Sequence, residues 1–225
     1  MSLFVESSDV LPLVDLEVAF PVGSLQDPIG KEGLAQLSGH LMRRGPRGLS
    51  QERFEDALAA LGARASVEVS MRSTRIRATV LRRNLGALLG LVARMIWRPA
   101  LRERDFAKLV RQARASLSAR LDDDQTLGAL RFRRALFGKH PYGRTLGGTA
   151  SSIDRISAER VRAFYRRQIA NAEFVVGIAG DVTERDARSL IADHFPPLRV
   201  CRRRDAKLRP TRVRRGRHVV IVDKS

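Results

Sequence analysis

Two adjacent stretches of alternating apolar residues constrain the fold of this chain most strongly. The first covers residues 65–71 and the second residues 76–80, with Arg72-Ser73-Thr74 between them. Side chains alternate between the two faces of a strand, so each stretch presents one apolar face, and the short polar break predicts an antiparallel hairpin. An isolated hairpin is at best marginally stable in water. The chain must therefore cover this hairpin with other elements.

Periodic segments on both sides of the hairpin supply that cover. Alternation or a short apolar run predicts strands at residues 14–20 and 174–179. Helical spacing predicts helices over residues 33–44, 50–61, 84–96, 103–120, 124–136, from 157 onward, and 183–195. The predicted N-cap residues are Ser50, Asn84, the acids at 122–124, Ser157 and Thr183. The order β-α-α-β-β-α-α-α-α-β-α indicates an α+β fold, with an antiparallel or mixed sheet packed against helices.

The domain organisation follows from where this pattern ends. We assign residues 1–197 to the α+β domain and residues 198–217 to a basic linker with Pro210 and Gly216 inside it. Residues 218–225 then start a further strand that has few partners left in the chain. This stub predicts that a second unit begins there, so the 225 residues correspond to about one half of a larger molecule.

The charge of the chain is strongly positive, with 42 Lys and Arg against 24 Asp and Glu, and a net charge of +18. Half of this excess lies between Arg199 and Arg217, where ten basic residues accompany one acid. A channel for single-stranded nucleic acid would interleave aromatic residues for base stacking, and this segment has none. We therefore favour a solvated linker, and we retain a nucleic-acid arm or an acidic protein partner as alternatives.

Composition also limits the class of protein. The longest apolar stretch, Leu85 to Trp97, contains Arg94 and is shorter than a membrane span, and no secretory signal is visible at the N-terminus. The compartment stays open between bacterial cytoplasm and periplasm. Cys201 is the only cysteine; its basic neighbours could lower the thiol pKa, yet no His or acid stands at a spacing that would support a nucleophile.

One segment carries a recognisable pattern, namely the helix that includes Gln36, Gly39 and His40. It resembles the active-site helix of the pitrilysin/insulinase family of zinc peptidases, which includes the mitochondrial processing peptidase and has the inverted signature His-x-x-Glu-His. Later landmarks of the family match in the same order: Leu61-Gly62-Ala63, His140-Pro141-Tyr142-Gly143-Arg144, Gly148-Thr149 and Gly180-Asp181-Val182. The resemblance covers essentially the whole chain and implies a half-domain of that zinc-peptidase type.

The same comparison implies that the catalytic residues are missing. The first His of the signature falls on Gln36 and the Glu falls on Gly39, so only the second His is retained, as His40. The family's third ligand is a Glu on the helix after the next break, and residues 106–121 contain no Asp or Glu. Catalytic zinc takes three protein ligands and a water. We therefore predict no catalytic residue, no zinc and no other cofactor, with His40 as a packing or hydrogen-bonding residue.

The resemblance implies that this chain works together with a partner subunit and has no catalytic activity of its own. We predict an inactive N-terminal half that pairs with a homologous zinc-bearing subunit to form a peptide-binding chamber, with substrate-binding residues unknown. Whether the native protein is itself an enzyme stays uncertain on sequence grounds. One alternative is a peptidase with a rearranged metal site, which would require Glu32 or His140 to converge on His40. The other is a cationic nucleic-acid-binding protein, and no membrane association is expected.

Overall fold

Five strands form a single mixed sheet in the computed structural model, which describes residues 2–195 together with 210, 216, 217, 219 and 221. The strands are β1 (Ser2–Ser7), β2 (Leu13–Phe20), β3 (Arg64–Val69), β4 (Thr74–Leu81) and β5 (Val175–Gly180). Their order across the sheet is β1-β5-β2-β4-β3. β1 pairs with β5 in parallel and all other neighbours are antiparallel. The predicted hairpin is present as β3 and β4, with Val67 opposite Ile76.

Eight α-helices accompany the sheet within the described residues. They are α1 (Leu34–Met42), α2 (Gln51–Ala60), α3 (Leu85–Trp97), α4 (Glu103–Asp122), α5 (Asp124–Phe137), α6 (Ala150–Asp154), α7 (Ala158–Phe164) and α8 (Glu184–His194). A π-helical turn, Tyr165–Ile169, continues α7, and short 3-10 turns occupy Ser24–Gln26, Arg82–Asn84 and Pro141–Gly143. The predicted α+β class is confirmed. β1 and the short α6 are additions to the sequence-based order.

Most of the predicted helix caps are formed. The side chains of Ser50, Asp123, Ser157 and Thr183 each accept a hydrogen bond from a backbone N–H in the first turn of their helix. Asn84 stands at the predicted N-cap position of α3, but the predicted capping bond is not formed, because its side chain donates to the Leu61 carbonyl 3.0 Å away. Asn84 is also the last residue of the 3-10 turn that directly precedes α3.

The core lies on one face of the sheet. Alternate residues of β2 and β4, such as Leu16, Phe20 and Ile76, are buried. The opposite face is exposed and mixed. Arg77 donates to Glu17 across β2 and β4 at 2.8 Å, while the apolar side chains of Phe4, Leu13 and Val175 are exposed on the same face. Among the described residues, one sheet face is therefore covered by helices and the other is not, as expected for a largely antiparallel sheet with a single covering layer.

The remaining predictions about organisation concern the C-terminal part of the chain. The basic linker at 198–217, the strand stub at 218–225 and Cys201 lie outside the described residues, apart from a few isolated positions. Within the part of the chain that the structure describes, no helix is both long enough and apolar enough to cross a membrane.

Candidate functional site

α1, the helix that carries the degenerate motif, is positioned at its N-terminus by a buried carboxylate. Oδ2 of Asp27 accepts the N–H of Gly33 at 2.8 Å, and Oδ1 accepts the N–H of Ala35 at 2.7 Å. These are two of the backbone donors that the first turn of a helix leaves without intrahelical partners. Burial raises the pKa of Asp27 to about 7, against the opposing effect of the two N–H donors. Asp27 is thus the main polar anchor of α1.

A cavity of about 410 Å³ lies between α1 and α4. Gln36 and His40 line it from α1, because residues four apart share one helix face. α4 lines the opposite side with three polar residues, each four positions from the next: Gln112, Ser116 and Arg120. The helix expected to supply the family's third metal ligand therefore does face the motif helix, although it presents no carboxylate there.

Gly39, the motif position that corresponds to the general base, points away from this cavity. A Cβ on Gly39 would lie 2.6 Å from Cγ2 of Val69 and 3.3 Å from Cγ1 of Val67, both on β3. The first distance is far below van der Waals contact, so α1 approaches the strand as closely as a glycine permits. The space that the Cβ of a glutamate would need is therefore already occupied by side chains of β3.

His40 is half-buried and faces the cavity. Among the described residues it makes no hydrogen bond, so the predicted packing role fits its surroundings better than a hydrogen-bonding role. Burial lowers the pKa of His40, and the nearby positive charge of Arg44 lowers it further. The imidazole is therefore neutral at neutral pH.

The donor set around His40 does not fit a catalytic zinc ion. Such a site needs three side-chain ligands, and Gln36 and Gly39 offer neither an imidazole nor a carboxylate. Glu55, the one carboxylate in the described part of the lining, forms a two-pronged ion pair with Arg43 at 2.7 and 3.0 Å. Across the described residues, no group of three His, Cys, Asp or Glu side chains is placed to hold a metal ion.

The two residues considered for a rearranged metal site have other contacts. Nδ1 of His140 accepts the N–H of Tyr142 at 3.2 Å and caps the turn at 141–143. A carboxylate oxygen of Glu32 accepts the N–H of Gly30 at 3.1 Å. Neither residue belongs to the described lining of the cavity. The structure thus does not bring Glu32 and His140 together with His40 around it.

Sequence reasoning missed the polar half of the cavity and the loop that closes it. Arg120 and Gly147 both belong to the lining, and Gly147 comes from the loop before α6. The i, i+4, i+8 spacing of Gln112, Ser116 and Arg120 was visible in the sequence as one helix face. Only the packing of α4 against α1 shows that this face meets the motif.

With this geometry established, comparison with known proteins assigns the family. The family model described as Insulinase (Peptidase family M16) matches residues 4–150, and the chain belongs to this family. The fold is shared with a peptidase M16 inactive domain from Pseudomonas fluorescens, at a TM-score of 0.81 and 23% identity over 93% of this chain and 51% of that one. A protease from Helicobacter pylori gives a TM-score of 0.76 and 25% identity, covering 92% of this chain and 50% of that chain.

Curated relatives include both peptidases and a homologue that is not one. The zinc protease PqqE of Helicobacter pylori is 25% identical over 189 residues, which is 83% of this chain and 42% of that protein. The non-peptidase homologue YmxG of the same organism is 22% identical over 177 residues, covering 79% of this chain and 41% of that protein. The chain thus spans about two fifths of the length of these relatives.

Proposed function

We propose that this chain is a non-catalytic half of an M16 peptidase assembly, which pairs with a homologous zinc-bearing half and helps to hold a peptide. The observation that carries the proposal is the α1–β3 contact. Gly39 stands where the general base is expected, and Val69 occupies the space next to it. Together with Gln36 in place of a histidine, this leaves no set of groups among the described residues that could activate a metal-bound water.

Pairing is supported by the size of the chain relative to its relatives. It spans 51% of the Pseudomonas fluorescens chain, which is described as an inactive domain, and 50% of the Helicobacter pylori protease. We propose accordingly that residues 1–197 are one half, that residues 198–217 are a linker, and that residues 218–225 begin a second homologous half. A zinc-bearing half in the same or another chain would then supply the chemistry.

Peptide binding is supported by the edge of the sheet beside α1. β3 is the last strand in the sheet order among the described residues, and it pairs only with β4 there. The Ala65 carbonyl bonds Nε of Arg43 at 3.0 Å, so it points outward from the sheet. In an antiparallel strand, the backbone N–H and C=O groups of every second residue point to the same side. The backbone groups of Val67 and Val69 therefore point to the same edge as the Ala65 carbonyl. An extended peptide can add to such an edge.

The proposal is tested by metal analysis and co-expression. The purified chain should bind far less than one equivalent of zinc and hydrolyse no peptide, whereas co-expression with a homologue that has an intact His-x-x-Glu-His motif should yield a complex with peptidase activity. Stoichiometric zinc that disappears in His40→Ala, but not in the control variant His194→Ala, together with peptide hydrolysis by the chain alone, would contradict the proposal.

A second experiment distinguishes the loss of the motif residues on α1 from the loss of the third metal ligand expected on α4. We expect both Gln36→His alone and the double substitution Gln36→His and Gly39→Glu to leave zinc affinity low, because α4 still offers no carboxylate to the cavity. The single variant adds no side chain at Gly39, so its result does not depend on the close approach of Val69. Isothermal titration with zinc measures this directly. High affinity in the double variant would show that the third ligand comes from elsewhere in the chain.

A further inference from the structure

The cavity at the degenerate motif contains positive charge that the surrounding residues leave uncompensated. Three arginines line it, and Arg43 is neutralised by its ion pair with Glu55. Arg44 donates to the side-chain carbonyls of Gln51 and Gln112, each at 2.7 Å, and these partners are neutral. Arg120 forms no ion pair with any described residue. Two guanidinium groups, Arg44 and Arg120, therefore face one cavity without a carboxylate partner.

A second observation points to a missing ligand in the same place. Oε1 of Gln36 is buried and has no hydrogen-bond partner among the described residues. Buried polar atoms are nearly always paired, so this oxygen calls for a partner that the described residues do not supply. A Cβ on Gly147 would lie 3.2 Å from this oxygen and 3.1 Å from Nη1 of Arg120. The orphaned amide and the unpaired guanidinium thus flank the same small space.

We propose that this cavity binds a carboxylate of a peptide, held by Arg120 and Arg44 while the amide of Gln36 bonds the adjoining peptide group. A guanidinium presents parallel N–H donors that match the two oxygens of a carboxylate, and such charge-assisted bonds are the strong ones. The carbonyl oxygen of Gln36 is buried in the unliganded chain, and a turn of this side chain toward the cavity would let it accept a peptide N–H next to that carboxylate. The inference rests on the proposed peptide-binding role and specifies the chemistry of the bound peptide.

The shape of the cavity fits this assignment. It is bounded by helices on two sides, and its volume of about 410 Å³ is in the range of small-ligand sites. It adjoins the open edge of β3 through Arg43, which contacts both the cavity and the Ala65 carbonyl. A peptide lying along β3 could therefore place an acidic side chain or its C-terminal carboxylate between α1 and α4.

The test uses fluorescence anisotropy on the 225-residue chain with N-terminally labelled short peptides. One pair differs only in a free or an amidated C-terminus, and a second pair, amidated throughout, differs only in an internal Glu or Gln. At low salt at least one carboxylate peptide should bind more tightly than its neutral counterpart, and the pair that shows the difference identifies the source of the carboxylate. We expect Arg120→Gln to weaken that binding about tenfold or more and to remove the difference.

Matched variants distinguish binding inside the cavity from nonspecific attraction to the positive charge of the chain. Arg111→Gln removes the same charge from the exposed side of α4 outside the cavity, and it should change the affinity less than about twofold, as expected for exposed charges. Gly147→Ala adds a methyl group between Gln36 and Arg120 without a change of charge and should also weaken binding. Thermal unfolding confirms that each variant is folded.

Three results would overturn the inference. These are equal binding or no binding of charged and neutral peptides by the unmodified chain, equal losses in Arg120→Gln and Arg111→Gln, and full affinity in both Arg120→Gln and Gly147→Ala. Failure here is distinguishable from failure of the proposed function. A chain that assembles with a zinc-bearing homologue but binds no carboxylate retains that function, whereas zinc bound through His40 with peptide hydrolysis contradicts it whatever the peptides show.

Discussion

The close approach of α1 to β3 at Gly39 allows a quantitative prediction for the substitution Gly39→Ala. Replacing glycine with alanine inside a helix ordinarily stabilises it by about 1 kcal/mol. At Gly39 the new Cβ would lie 2.6 Å from Cγ2 of Val69, and Val69 is itself buried in β3. Overpacking of this kind costs about 1–3 kcal/mol. The contact outweighs the propensity, so we expect a net loss of about 0–2 kcal/mol in the free energy of unfolding.

Urea denaturation followed by circular dichroism measures this loss, and Gly128→Ala provides the control. Gly128 lies inside α5, and a Cβ there would meet nothing within 4 Å, so the same substitution should stabilise the chain by about 1 kcal/mol. Val69→Ala supplies the second arm of a double-mutant cycle. Removing the methyl groups should relieve the contact, so Gly39→Ala should then be neutral or stabilising, with a coupling energy of about 1–3 kcal/mol.

A stabilising Gly39→Ala with no coupling to Val69 would refute this reasoning. It would mean that α1 and β3 are further apart than the structure places them. The argument that β3 occupies the space of a general base would then fail, although the absence of a carboxylate at Gly39 would remain.

The other predictions concern Asp27 and His40, which belong to the surroundings of α1, and Tyr165, which contacts α3. Asp27→Ala removes the acceptor for two backbone N–H groups of α1 and should lower the free energy of unfolding by about 1–3 kcal/mol; an unchanged urea midpoint would exclude the anchoring role. His40 has a lowered pKa in the folded state, so the unfolded chain binds its proton more readily, and the unmodified chain should lose stability relative to His40→Gln as the pH falls below 6.5. A stability difference between the two that stays flat from pH 7 to 5 would contradict this. Tyr165→Phe leaves the buried Ile96 carbonyl without its 2.6 Å donor and should cost about 1–2 kcal/mol in thermal unfolding, whereas no change in Tm would indicate a replacement donor.

Much of the fold was predictable because the signals were local. The alternation of residues 65–80 defined the hairpin, and the polar residues before α2, α5, α7 and α8 marked where those helices begin. β1 was missed because it is an outer strand in which only Leu3 and Val5 are partly buried, a pattern too short to recognise. Its parallel pairing with β5 depends on residues more than 170 positions away.

The candidate site was predictable on one side only. Gln36 and His40 share a face of α1 by spacing alone, so their presence in one cavity follows from the sequence. That Val69 fills the space beside Gly39 follows only from the position of α1 over β3. That Arg120 lies at the motif helix follows only from the contact between α1 and α4. These are tertiary facts that no window of sequence contains.

The position of β5 has a consequence for how the chain folds. β5 lies between β1 and β2, so two strands from the N-terminus are joined only by one that emerges from the ribosome near the end of this domain. Contacts between residues so distant in sequence are slow to form. During synthesis, therefore, the hairpin and helices α1 to α7 are complete while one edge of β2 still lacks its partner. A fragment that stops at residue 150, where the family match ends, would keep that edge exposed and should aggregate.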